Sequence, residues 1–224
     1  MDGRSVAALV AVAVLTAGCM GVILGEDDLE FESGETVIEN GTVASSGYEL
    51  QQQETQTLNE TVSLAEGNET RIVVRSHMAR YGPESDLPSA VGPIQVGLVT
   101  TPDASVAGQS VNPLLRMDSY ERAFRFLPET DESGFERYGN YTVEPFDESA
   151  TVTVFATETE ADEDPEAFVH VLQVPRENGD AVLAYAMHPS GEADAEAIPA
   201  LFSALEYTPP RDVDGGDNGT DGDG

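Results

Sequence analysis

The chain has no tryptophan, no lysine and one cysteine, Cys19. A lone cysteine excludes a disulfide within the chain and a multi-thiolate metal centre. Without lysine, the Arg side chains are the only permanent cations. They total 10 against 42 Asp and Glu, giving a formal net charge of -32 over 224 residues. No basic stripe is available to displace counterions from a polyphosphate, so nucleic-acid binding is excluded. The glycine-rich phosphate loops and the G-x-S-x-G nucleophile turn are also missing. Their absence removes the P-loop, dinucleotide-binding and serine-hydrolase readings.

The acid is present throughout the chain. It recurs at Glu26-Asp27-Asp28, Glu129 to Glu136, Glu158 to Glu166 and Glu192 to Glu196. Aliphatic runs between these stretches are too frequent for a disordered acidic protein, so the acid sits on a folded surface. Such a surface repels itself in dilute salt. In molar salt the screening length falls to about 3 Å and the repulsion is lost. This composition points to an extreme halophile, as in haloarchaea.

At the N-terminus, Val6 to Leu15 is apolar and follows a single cation, Arg4. Leu15-Thr16-Ala17-Gly18-Cys19 comes next. A short apolar segment, small residues and then cysteine resemble a lipoprotein signal peptide with its lipobox (residues 1–19), in which Cys19 would carry the lipid. Thr16 departs from that pattern, because an aliphatic residue is commoner there. The same residues admit two other readings. Val6 to Gly25 carries no charge and is long enough to span a bilayer as an uncleaved signal-anchor. Simple cleavage and secretion is the third. The first two leave the domain exported and attached to the outer face of the membrane. Five of the seven asparagines begin an N-x-Ser/Thr sequon: Asn40, Asn59, Asn68, Asn140 and Asn218. Chance gives about one, so these are glycosylation candidates that agree with an outside address. Favourable polar turns are the alternative explanation.

Composition divides the rest into a tether (20–46), one domain (47–208) and a disordered acidic tail (209–224). Period-2 patterning predicts strands around Leu58 to Leu64, Arg71 to Tyr81, Ile94 to Thr101 and Thr151 to Thr157. Ala167 to Pro189 predicts a hairpin around Asn178-Gly179. With those two as the loop, Leu172 meets Tyr185, His170 meets Met187 and Val171 meets Ala186. Val169 then meets His188. Both faces are apolar and need cover. Two helical stripes are available: Met117, Tyr120, Phe124 and Leu127, with Asp118 and Glu121 as a capping pair, and Ile198, Leu201, Phe202 and Leu205. The expected fold class is α+β: a mainly antiparallel sheet covered by two helices, like an α/β/α sandwich.

Cys19, Gly47-Tyr48-Glu49-Leu50, Asn59-Glu60-Thr61-Val62, Asn112-Pro113 and the C-terminal helix together resemble an uncharacterised family of haloarchaeal predicted lipoproteins. That resemblance implies a location and no activity. The element order is similar to the PsbP/Mog1-like sandwich, an analogy of fold that implies no function.

Three histidines are present: His77, His170 and His188. The hairpin register above puts His170 and His188 on opposite faces, where they cannot share a metal, so no metal site, catalytic residue or cofactor is expected. Asp212 to Asp217 resembles the start of a calcium loop but lacks its terminal Glu. Arg75, His77 and Tyr81, near Arg71 and Arg80, form a weak ligand-patch candidate, with salt bridges as the simpler reading. Arg116, Arg122 and Arg125 cluster at the first helix, where Glu121 and Arg125 are spaced to pair. The functional expectation is a non-enzymatic binding or assembly module with an envelope protein as partner. The alternatives are an envelope enzyme or a small-ligand receptor subunit. The charge makes one prediction: the thermal midpoint drops steeply as salt is lowered from molar to about 0.1 M, where the screening length reaches about 10 Å. A flat calorimetric series would overturn the halophile reading.

Overall fold

The computed structural model describes residues 28–63, 69–83, 95–106, 109–110, 112–126, 134–159, 164–191 and 193–210. The signal segment with Cys19, the turn at Gly67-Asn68, Leu127, the Asp212 to Asp217 stretch and Asn218 lie outside them.

In chain order the elements are β1 (Leu29–Glu32), β2 (Glu35–Ile38), α1 (Asn40–Ser45), β3 (Tyr48–Ser63), β4 (Glu69–Pro83), β5 (Gln95–Thr101), β6 (Ser105–Val106) and β7 (Gln109–Ser110). Helices α2 (Pro113–Arg116) and α3 (Ser119–Phe126) follow, then β8 (Phe135–Val143), β9 (Ala150–Thr157), β10 (Ala167–Pro175) and β11 (Ala181–Pro189). Helix α4 (Ile198–Ser203) and β12 (Leu205–Thr208) close the described chain. Eight strands form one sheet in the order β1-β4-β5-β11-β10-β9-β8, with β3 on β4. Strand β3 takes one edge of β4 over its full length. The other edge is shared by β1, which runs parallel to it, and β5, which runs antiparallel.

This architecture corrects the expected one. The sheet is mixed, and it is not covered by two helices. Helix α3 has 8 residues and α4 has 6. Ile198, Leu201 and Phe202 are fully buried on α4, but Leu205 has left the helix to begin β12, which pairs with β2. The apolar period-3.6 stripe therefore runs across a helix end. Strand β2 was not expected, because composition assigned residues 20–46 to a tether. Instead Leu29–Ser45 builds β1, β2 and α1. These segments are short and acidic, yet Ile38 and Val43 reach the core.

The β2/β12 ribbon, α1 and α4 lie over one sheet face. Tyr81, Val96, Leu98, Val152, Leu172, Val182 and Ala184 pack there against Ile38, Ile198, Leu201 and Phe202. On the opposite face, Phe124 of α3 meets Val99, Val169, Val171, Leu183 and Tyr185. The Asp118 side chain accepts from the Glu121 N–H (2.9 Å), capping α3 as expected.

The central hairpin does not use a two-residue loop. Pro175 faces Ala181, and the Arg176 N–H donates to the Asp180 carbonyl (2.7 Å). Glu177-Asn178-Gly179 is thus a three-residue loop, with Gly179 at a left-handed φ of 92°. It combines a tight turn, closed by the Gly179 N–H on the Arg176 carbonyl (3.0 Å), with a glycine in the position that bulged hairpins reserve for it. Relative to the expected register β11 slips by one residue, and every one of its side chains changes face. His170 now meets Ala186, and His188 meets Phe168.

The slip also turns Asp180 inward. Its Oδ2 accepts from the Gly34 N–H (2.6 Å) and the Tyr207 hydroxyl (2.6 Å), which tie the loop to β2 and β12. Asp180→Ala strips both donors of their acceptor. At about 1.5 kcal/mol per bond, the expected cost is about 3 kcal/mol, read as a lower denaturant midpoint at unchanged slope. A loss under about 1 kcal/mol would show that this latch does not hold the two layers together.

Candidate functional site

The register slip brings together two histidines that the sequence reading kept apart. Even-numbered residues of β10 and β11 now share a face, so Phe168, His170 and His188 stand side by side. The His170 and His188 Nε2 atoms are 2.9 Å apart. Edge strand β8 completes the site. Its pairing with β9 skips Tyr138, since Arg137 faces Phe155 and Gly139 faces Val154. This bulge turns Tyr138 to the same side as Gly139. The Tyr138 ring, 63% exposed, stands edge-on to Phe168 at 5.2 Å. Phe168 in turn stacks on His188 at 5.4 Å.

Together Tyr138, Gly139, Asn140, Val154, Phe168, His170 and His188 line an open pocket of about 360 Å3. Among the described residues, no Asp, Glu or Arg lines it. Gly139 leaves room in its lining: a Cβ built there meets no atom within 4 Å. Beside the pocket, the Tyr141 hydroxyl lies 3.0 Å from His170 Nδ1.

Hydrogen-bond roles follow from one fixed end. His188 Nδ1 is 2.7 Å from the Pro189 carbonyl, which can only accept, so Nδ1 carries the proton. In the neutral ring Nε2 is then an acceptor, and His170 Nε2–H donates to it. His170 Nδ1 is left to accept from the Tyr141 hydroxyl. Tyr141, His170, His188 and the Pro189 carbonyl thus form one polarised chain. Burial, and after it the neighbouring His188, pushes the His170 pKa down to about 4. Burial also raises the Tyr141 hydroxyl well above its ordinary range. His170 and Tyr141 are thus neutral at ordinary pH, and Tyr141 is no nucleophile.

Arg75, His77 and Tyr81 do not converge on this pocket or on one another. Arg75 Nη1 donates to Glu30 Oε2 (2.8 Å), and that bond holds the Glu30 carboxyl below its usual range. His77 Nε2 lies 3.7 Å from Glu32 Oε1, and Arg71 Nη1 lies 3.6 Å from Asp28 Oδ2. These contacts form a ladder along parallel β1 and β4, with acid on β1 and base on β4. Tyr81 is buried, and its hydroxyl accepts from the Ile38 N–H (3.0 Å). Among the sequon residues, Asn40, Asn59 and Asn140 are described and all are exposed. Among the described residues, no group of three or more His, Cys, Asp or Glu is placed to hold a metal. No described helix is long and apolar enough to cross a membrane.

Sequence reasoning missed the pocket because it excluded the histidine pair on a register. The available signal was Asp180. With a two-residue loop it would pair with Glu177, placing like charges opposite each other.

The molecule is thus a mostly β protein built on a mixed eight-stranded sheet, with an aromatic and imidazole pocket at one flank. Residues 35–206 match a family described as a domain of unknown function, DUF6517, and the chain belongs to that family. No curated protein matches it.

A pH dependence follows from His170. Its pKa is lower in the folded state than the ordinary value of 6.5, so between about pH 4 and 6.5 the unfolded chain binds more protons. Stability is complete above pH 6.5 and is lost as pH falls towards 4, by about 2–3 kcal/mol at about 1.4 per unit. Unfolding free energies measured across this window should slope for the native chain and slope less for His170→Gln. Burial is the main cause, so molar salt should leave the slope in place.

Proposed function

We propose that this chain is a non-enzymatic binding module, exported and held on the outer face of the cell membrane of a halophile. Its pocket between Tyr138 and His188 takes a neutral, ring-bearing ligand. The observation that carries the binding reading is chemical contrast. In a chain of net charge -32, one open pocket is lined by rings and by imidazoles with fixed hydrogen-bond roles, and by no ionic side chain among the described residues. Aromatic faces and neutral donors suit a sugar or a planar heterocycle, whereas a charged ligand would find no counter-charge. The high pKa of the Tyr141 hydroxyl argues against nucleophilic chemistry. The Val6 to Leu15 segment, Cys19 and the sequons support the address. Cys19 is the proposed lipid carrier, and an uncleaved Val6 to Gly25 helix is the second form of the same attachment.

The test uses a neutral aryl glycoside as probe, followed by the NMR signals of the His170 and His188 rings in molar salt. Native protein should show saturable shifts. Gly139→Leu, which adds a bulky side chain to the pocket lining without backbone strain, should weaken binding at least tenfold with the thermal midpoint little changed. Equal binding by Gly139→Leu would overturn the pocket assignment, and turnover of the probe would make the protein an enzyme. For the address, intact mass of membrane-extracted protein should show Cys19 as the lipid-bearing first residue. A mass that retains Met1 to Gly18 would replace the lipid with the anchor helix.

A further inference from the structure

We propose that His170 and His188 bind a divalent transition-metal ion at the floor of the pocket, with Cu(II) preferred. The inference rests on reading this pocket as a binding site, and its test separates the two. The Nε2 atoms already face each other at 2.9 Å. Two cis ligands at about 2.0–2.1 Å in the tetragonal arrangement that Cu(II) favours stand about 2.9 Å apart, the separation already present. Rotation of the two rings turns their lone pairs from each other towards the ion.

Both rings have the outer support that orients metal-binding imidazoles. His188 Nδ1–H is fixed on the Pro189 carbonyl, so its Nε2 lone pair already points at the partner ring. His170 needs only a change of tautomer: its proton moves from Nε2 to Nδ1 and no net proton is released. The Tyr141 hydroxyl makes this possible, because it can donate to Nδ1 in one tautomer and accept from Nδ1–H in the other. Tyr141 is therefore a positioning residue.

Donor chemistry selects the ion. Two neutral imidazoles suit copper, nickel and zinc, with copper tightest, and do not suit calcium or magnesium, which take oxygen ligands. The described residues supply two ligands and no third, so the remaining coordination positions open towards the pocket, where a ligand's own oxygen or nitrogen can occupy one.

The experiment adds Cu(II) alone to the full chain in molar sodium sulfate, with any free Cys19 thiol blocked, and reads electron paramagnetic resonance. The expected result is one equivalent of copper with hyperfine coupling to two nitrogens. The coupling is lost in His170→Ala and in His188→Ala, and the affinity falls tenfold or more in Tyr141→Phe. Circular dichroism checks each variant for folding. Should His188→Ala fail to fold, His170→Ala and Tyr141→Phe carry the test. An oxygen-only signal unchanged by these substitutions would place the copper on surface carboxylates and overturn the site. Gly139→Leu leaves both imidazoles in place, so a failure of the ring-ligand reading appears there and not in the copper spectrum.

Discussion

The register of the β10–β11 hairpin governs the rest of the molecule. These strands lie in the middle of the sheet, and β11 has eight of its nine residues buried. In a strand covered on both sides, apolar patterning cannot choose a register, because either face satisfies the hydrophobic effect equally well. The loop has to choose. Glu177-Asn178-Gly179, with glycine in the left-handed conformation, sets β11 so that Val182, Ala184 and Ala186 face α4 while Leu183 and Tyr185 face α3. The Asp180 latch and the imidazole pair are consequences of that same setting.

Much of the fold was legible for local reasons. Strands β4, β5 and β9 follow from alternation and β-branched residues. The cap at Asp118 follows from its spacing to Glu121, and Pro199 sits in the first turn of α4, where its ring costs no hydrogen bond. The non-local parts were illegible. Strand β12 exists because β2 is there to pair with it, and β2 is four residues of unremarkable composition. Asn-Gly served as the signal of a two-residue turn, yet the same dipeptide fits the end of a three-residue loop. The tertiary contact of Asp180 with Gly34 and Tyr207, and the like charges that a two-residue loop would oppose at Glu177 and Asp180, distinguish the two. The site was illegible for the same reason: its members come from β8, β9, β10 and β11, and a one-residue slip decides whether they meet.

The electrostatics divide by location. Along β1 and β4, Arg71 and Arg75 face Asp28 and Glu30 and neutralise locally, which takes both arginines out of the candidate ligand patch. Among the described residues the pocket lining holds no Asp, Glu or Arg, and burial keeps His170 neutral. A polar yet uncharged recess in so acidic a chain retains its character whatever the ionic strength, because there is little there for salt to screen.

Salt acts differently on the far side of the sheet. Strand β3 has 16 residues, and among the described residues no strand pairs with its outer edge. Exposed sheet edges are commonly defended by charge, and Glu49, Glu54 and Glu60 are spaced along this one. Their repulsion reaches only as far as the screening length. At molar salt that is about 3 Å, less than the roughly 4.8 Å between paired strands. An approaching strand would meet the backbone before it felt the carboxylates. The solvent that relieves the acidic surface therefore disarms its longest edge, which leaves steric bulk as the remaining barrier to strand addition there.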